Sequence, residues 1–214
     1  MNLNFSGTIN VFKLLTKPSL CLPHATASTF NDIPTPLSKA FEGRGKKIDI
    51  RAVILDKDDC FAYPDSNEIY PAYLERFQKL QEEYPGHRLL VVSNTAGATT
   101  HDHDGRLAKE LEVATGVSVL AHKVKKPGCS DEILAHFKAH PEAGVTHPSQ
   151  IAVVGDRLMT DIMLANMMGS WGLWIMDGVK PLEKKSVFSK FEQRLGPFLM
   201  ARGYRASDPL SPFE

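Results

Sequence analysis

The chain is short of several things, and each shortage narrows the reading. Across its 214 residues there is no run of 18 or more apolar residues, so no segment has the length and composition of a transmembrane helix. There are three cysteines, Cys21, Cys60 and Cys129, far apart and odd in number. That count supplies neither a disulfide framework nor a zinc-ligand spacing, and it fits a reducing compartment. Lysine plus arginine and aspartate plus glutamate both total 25, so bulk electrostatics give no case for a nucleic-acid partner. Internal repeats and low-complexity tracts are missing. What remains, 43% hydrophobic and 23% charged residues, is the composition of a globular chain able to bury a full core.

One further absence is local. No acidic residue precedes Asp32, no arginine precedes Arg44, and the only lysines before Asp32 are Lys13 and Lys17. Within this stretch Phe5, Ile9, Phe12 and Leu15 or Leu20 fall near helical spacing, broken at Pro18. Residues 1–22 are therefore read either as an amphipathic segment that lies on a membrane or guides import, or as a helix packed on its own domain. The next stretch, 34–47, holds Pro34, Pro36, Gly43, Gly45 and the basic run Arg44-Gly45-Lys46-Lys47. It reads as a linker or irregular wrap. The expected division is a segment over 1–47 and a folded domain over 48–214.

From residue 48 strand and helix patterns alternate. Apolar runs at 48–55, 88–93, 117–121, 151–155 and 172–176 predict strands covered on both faces. Helical spacing predicts helices at 73–83, 106–115, 130–139 and 161–168, and a last helix at 186–202 interrupted near Gly196-Pro197. Such alternation defines an α/β fold, a doubly wound, Rossmann-like parallel sheet. Ligands bind such sheets at the carboxyl ends of the strands.

Those ends carry the chemistry. The first predicted strand ends on Asp56, Lys57, Asp58, Asp59 and Cys60, and the second on Ser93, Asn94 and Thr95. The third is followed by His122, Lys123, Lys125 and Lys126, and the fourth by Asp156, Arg157 and Asp161. Clustered carboxylates repel unless a cation or a proton offsets them. Carboxylates from two strand ends suit a hard divalent ion, Mg2+ above all, while lysine and hydroxyl suit phosphate. The set predicts phosphoryl chemistry by positioning and charge neutralisation.

Asp56-x-Asp58-x-Cys60, Ser93, Lys126-Pro127-Gly128 and Gly155-Asp156-x-x-x-x-Asp161 resemble, in order and context, the four motifs of the haloacid dehalogenase superfamily. The wording LDKDDC, VVSNTAG, KKPGC and GDRLMTDI is similar to the fungal and plant type of mitochondrial phosphatidylglycerophosphatase. The resemblance implies Asp56 as nucleophile and Asp58 as acid and base. It further implies Ser93 and the Asn94 backbone N–H on the phosphoryl group, and Lys126, with Lys125 as runner-up, balancing charge. Asp56, Asp58 (through its backbone carbonyl) and Asp156 would hold Mg2+, Asp161 would orient the lysine or metal waters, and Arg157 would touch the substrate or solvent. Intervals of about 30 residues between the first three motifs imply a capless phosphatase with an open site.

The implied substrate is phosphatidylglycerophosphate in an anionic membrane, on the matrix side of the mitochondrial inner membrane, reached peripherally through residues 1–22. Nucleic acid is not an expected partner. Homo-oligomers would multiply weak anchors by avidity, although the sequence does not show one. Two other readings stay open at this point: a Mg2+-dependent phosphatase of a small metabolite or phosphoprotein, and a non-catalytic phosphate-binding module. Asp59 has no assigned role. His101-Asp102-His103-Asp104 is either a metal loop or solvated polar turn.

Overall fold

The computed structural model describes residues 12–213. Six strands form one sheet: β1 Ala25–Ala27, β2 Ala52–Leu55, β3 Leu89–Val91, β4 Ser118–Val119, β5 Ile151–Gly155 and β6 Trp171–Ile175. Their spatial order is β1-β6-β5-β2-β3-β4, and every pairing is parallel. Among the described residues five α-helices accompany them: α1 Leu74–Glu83, α2 Arg106–Thr115, α3 Ser130–Ala139, α4 Met163–Met168 and α5 Val187–Ala201.

Alternation along each strand explains the two-sided packing. On one face Val53, Leu55, Leu89, Val91, Ala152, Val154 and Leu173 meet Phe77 and Leu80 of α1 and Leu111 of α2. On the other, Ala52, Ile54, Leu90, Ile151 and Val153 meet Ile133 and Phe137 of α3 and Leu164 and Ala165 of α4. A third cluster joins Cys21, Leu158, Ile162 and Trp174 to Leu195, Leu199 and Met200 of α5.

The sheet was expected to begin at residue 48, and the structure adds β1 at its edge. Ala25-Thr26-Ala27 pairs with Leu173-Trp174-Ile175, but three small residues make no apolar run. Of the two readings of 34–47, linker or irregular wrap, the structure shows the wrap. Leu37 and Phe41, like Phe30 and Ile33 just before it, are fully buried in the first core. The four keep helical spacing, but Pro34 and Pro36 interrupt it, and the chain forms only the short 3-10 turns Phe30–Asp32 and Leu37–Phe41. Within residues 1–22, Leu14 and Cys21 pack on the third core and Leu22 is buried; residues 1–11 lie outside the described residues. The last helix is not interrupted either: α5 runs through Pro197. Gly196 faces inward there, and a Cβ on it would meet Leu158 Cδ1 at 3.0 Å and Trp174 at 3.2 Å. The glycine thus serves close packing rather than a break.

β2 lies between β5 and β3. The chain leaves β2 toward one side, for β3 and β4, and returns on the other as β5. That reversal opens a crevice at the carboxyl end of β2.

Candidate active site

β2 delivers Asp56 and Asp58 into this crevice, with the Asp56 amide still donating to the Val154 carbonyl of β5 at 2.9 Å. The strand therefore fixes Asp56 directly, and the carboxylate is 7% exposed. Lys126 arrives from the loop after β4 and is 2% exposed. Its Nζ lies 2.5 Å from Asp56 Oδ1 and 2.6 Å from Asp161 Oδ1. Of the two lysines weighed for this position, Lys126 points inward, while Lys125 is only half-buried.

Asp156 follows β5, and its carbonyl accepts a hydrogen bond from Trp174 Nε1 at 2.9 Å, which locks the turn to β6. Asp161 sits in a π-helical turn, Leu158–Ile162. Such one-turn insertions recur where a side chain must be aimed. Its Oδ2 accepts from the Arg157 amide at 3.1 Å. Gly155 makes room for it: a Cβ there would stand 2.4 Å from Asp161 Cγ, and Asp161 is fully buried with nowhere to retreat.

Asp56, Asp156 and Asp161 bring carboxylate oxygens within 4.8 Å of one another. Burial, opposed by Lys126 and reinforced by Asp161 and Asp58, pushes Asp56 up to about 7. Burial and then the Asp56 and Asp161 charges push Asp156 well above the ordinary carboxylate range. Burial works against a charged Lys126, but Asp161 and Asp56 hold it protonated above the usual lysine range. One ammonium therefore faces three carboxylates. Asp156 Oδ1 is buried without a hydrogen-bond partner, a costly state for a carboxylate. An orphaned oxygen beside two further carboxylates is the donor set a hard divalent cation takes, so the residues present fit one.

The Asp58 carboxylate turns the other way. It accepts from Thr95 Oγ1 at 2.6 Å and Ser93 Oγ at 3.2 Å, and lies 2.5 Å from the Lys57 ammonium. Thr95 and Lys57 stood among the strand-end residues without a role; the signal for Thr95 was a second hydroxyl two residues beyond Ser93. Ser93 is itself held through its carbonyl by His122 Nε2 at 2.9 Å.

Two residues expected near the substrate also brace the structure around them, Asn94 through its side chain rather than the backbone N–H expected to meet the phosphoryl group. The Asn94 side chain accepts from the Lys126 amide at 2.7 Å and donates to the Lys126 carbonyl at 3.4 Å, clamping the lysine loop to the β3 end. Arg157 forms an ion pair with the buried Glu192 of α5 and lies over the Phe188 ring. Both still line the crevice, as do Lys180 and Ser186, which the sequence reading did not include. Asp59 binds away from the carboxylates: Oδ1 accepts from the Lys180 amide and Oδ2 meets Lys185 Nζ at 2.9 Å. In the HDHD loop, Asp102 anchors α2, accepting from the Gly97, Leu107 and Ala108 amides at 2.8–3.0 Å. The polar loop is thus structural.

Functional groups from the ends of four parallel strands meeting around one carboxylate cluster are the arrangement of haloacid dehalogenase-type phosphatases. Residues 5–180 match the family described as mitochondrial PGP phosphatase, and the chain belongs to that family. It is 47% identical over 197 residues to the mitochondrial phosphatidylglycerophosphatase GEP4 of Saccharomyces cerevisiae, covering 92% of this chain and 99% of the yeast protein. It is 35% identical to the Schizosaccharomyces pombe protein named "Probable phosphatidylglycerophosphatase, mitochondrial", over 84% of this chain and 85% of that one. It is 33% identical to phosphatidylglycerophosphate phosphatase 1, chloroplastic/mitochondrial, of Arabidopsis thaliana, over 78% of this chain and 44% of the plant protein.

Proposed function

We propose that the chain hydrolyses phosphatidylglycerophosphate to phosphatidylglycerol and phosphate, a step toward cardiolipin. The observation that carries the chemistry is the Asp56–Lys126–Asp161 contact beside the orphaned Asp156 oxygen; the family supplies the substrate. Asp56 attacks phosphorus, and the bond to the glycerol oxygen breaks as Asp58 gives that oxygen a proton. Water then attacks the aspartyl phosphate, Asp58 takes its proton, and Asp56 is restored as phosphate leaves.

Ser93 and Thr95 hold Asp58 and face the incoming phosphoryl group. Lys126 fixes the Asp56 rotamer through Oδ1, leaving the second oxygen for attack. Asp161 positions Lys126. Asp56, Asp156 and the Asp58 backbone carbonyl would hold Mg2+, which when bound supplies positive charge to the phosphoryl oxygens. Lys180 and Ser186, on the outer wall, suit the second phosphate of this lipid, the diester that a simple monoester lacks.

Lipid access is read from α5. Val187, Phe191, Arg194 and Phe198 follow i, i+4, i+7, i+11 spacing; Val187 is 85% exposed and the two phenylalanines about half. The opposite face of α5 packs on the third core. A helix apolar on both sides with one face exposed calls for a further partner. Arg194 lies within that face and Lys184, Lys190 and Arg202 are near it in the chain, matching anionic lipid. This helix begins beside Ser186 of the crevice, so docking it brings the headgroup to Asp56. No helix among the described residues is long and apolar enough to span a bilayer. A peripheral position on the matrix side of the mitochondrial inner membrane, aided by residues 1–22, completes this reading.

The test is Mg2+-dependent phosphate release from phosphatidylglycerophosphate, soluble glycerol phosphates and phosphopeptides. Preference for the lipid, lost in Asp56→Asn, is expected. Preference for a soluble compound would overturn the substrate, and turnover by Asp56→Asn would overturn the nucleophile.

A further inference from the structure

At the end of the sheet away from the crevice stand three imidazoles that the reaction does not use. His87 lies in the turn Gly86–Arg88 that feeds β3. His136 is in the last turn of α3, and His140 directly follows the helix. One nitrogen from each ring lies within 4.8 Å of the others. His87 and His140 stack with centroids 3.5 Å apart, and His136 is 4.6 Å from His140. Glu142 completes the group: its Oε1 is 3.1 Å from His140 Nδ1 and 3.8 Å from His87 Nε2.

Packing alone does not account for this. His87 Nδ1 and His136 Nε2 are shielded from solvent with no hydrogen-bond partner, and each buried orphan is costly. Burial, with the neighbouring His140 and His87, pushes His136 down to about 4. The ring is then neutral at physiological pH and its lone pair is available to a Lewis acid.

We infer that His87, His136 and His140, closed by Glu142, bind a divalent transition ion, with Zn2+ the match in ligand type and number. Zn2+ takes four ligands from imidazole and carboxylate in a tetrahedral site, while Mg2+ prefers oxygen and would stay in the catalytic crevice. The i, i+4 spacing of His136 and His140 places both on one side of α3. Zn–N bonds of about 2.0–2.1 Å require closer nitrogens than the ion-free cluster shows; the rings are only partly buried, and side-chain rotation closes the gap. The ion would staple the start of β3 to the end of α3. The far end of β3 leads to Ser93, and α3 starts just after Lys126, so the staple braces two elements that carry catalytic groups.

The experiment uses the full chain, stripped with chelator and titrated with ZnCl2 in excess Mg2+, which keeps the crevice carboxylates occupied. One retained zinc per chain is expected by elemental analysis, with a tetrahedral absorption spectrum on Co2+ substitution. At free Zn2+ a hundredfold above Kd, Tm should rise by about 5–10 °C. His136→Ala/His140→Ala should lose the zinc and the rise together. Glu142→Gln, at an exposed side chain that folding does not need, should weaken binding about tenfold while leaving the zinc-free Tm unchanged. Absence of retained zinc, or retention with the same Tm rise in the double variant, would overturn the site.

Discussion

Replacing Lys126 with methionine removes the ammonium that lies 2.5 Å from Asp56 and 2.6 Å from Asp161. Both carboxylates are almost out of contact with water, so solvent cannot take over. Removing one partner of a buried pair costs about 3–5 kcal/mol. For a chain of this size, 1 kcal/mol moves Tm by about 2–4 °C, which gives a fall of about 6–20 °C in metal-free buffer at pH 8. The pH dependence has a definite sign. Folded Asp56 sits at about 7 against 3.8 in its ordinary state, raised by burial with Lys126 pulling the other way. Without the lysine it rises further. A carboxyl raised by folding binds more protons folded than unfolded, so its stabilisation is present at low pH and is lost as pH climbs through the folded value. The deficit should therefore be small near pH 5 and full near pH 8, and added Mg2+ should recover part of it at pH 8. Thermal unfolding by circular dichroism, with chelator and then with Mg2+, measures each arm. Equal deficits at both pH values, or none at pH 8, would refute the charge argument. Phosphate release should fall to background throughout.

Three other outcomes follow from the geometry. Gly155→Ala places a methyl carbon 2.4 Å from Asp161 Cγ; overpacking of this kind costs about 1–3 kcal/mol, read as a lower Tm, and kcat should fall because Asp161 no longer holds Lys126. Lys180→Ala should raise KM for phosphatidylglycerophosphate about tenfold, the scale of one charge-assisted hydrogen bond, while KM for p-nitrophenyl phosphate stays unchanged in the same assay. Phe191→Ser/Phe198→Ser should weaken binding to anionic liposomes at least tenfold, since each half-exposed ring forfeits about 1 kcal/mol or more of burial; unchanged flotation with normal turnover on soluble esters would remove α5 as the lipid contact.

The strands that frame the site were legible because their apolar runs are long and end abruptly in polar residues. Ala52–Leu55 and Ile151–Gly155 sit inside the stretches read from the sequence, and the residues after them meet as expected. What stayed hidden depends on partners distant in the chain. Arg157 looked like a substrate or solvent group because its partner, Glu192, is 35 residues away on a helix whose orientation no local pattern fixes. Nothing local linked the Asn94 side chain to the backbone of Lys126, 32 residues on, which it clamps; the backbone N–H expected to meet the phosphate is not used by that clamp. Phe30, Ile33, Leu37 and Phe41 keep helical spacing, but Pro34 and Pro36 break it, so linker and core-completing wrap could not be told apart.

Asp59 shows most clearly what composition leaves open. It is one of three acids within four positions, and no role was assigned to it beside Asp56 and Asp58. The backbone separates them. Asp59 has φ 63°, a left-handed conformation that aspartate tolerates better than most residues, and the reversal turns its side chain away from Asp56. It faces Gly178, where a Cβ would lie 2.1 Å from the Asp59 carbonyl oxygen, and it binds the Lys180 amide and the Lys185 ammonium. The acid thus ties the nucleophile loop to the segment carrying Lys180 and Ser186, which form the outer wall of the crevice. The acid left without a role holds the wall against which a second phosphate would rest.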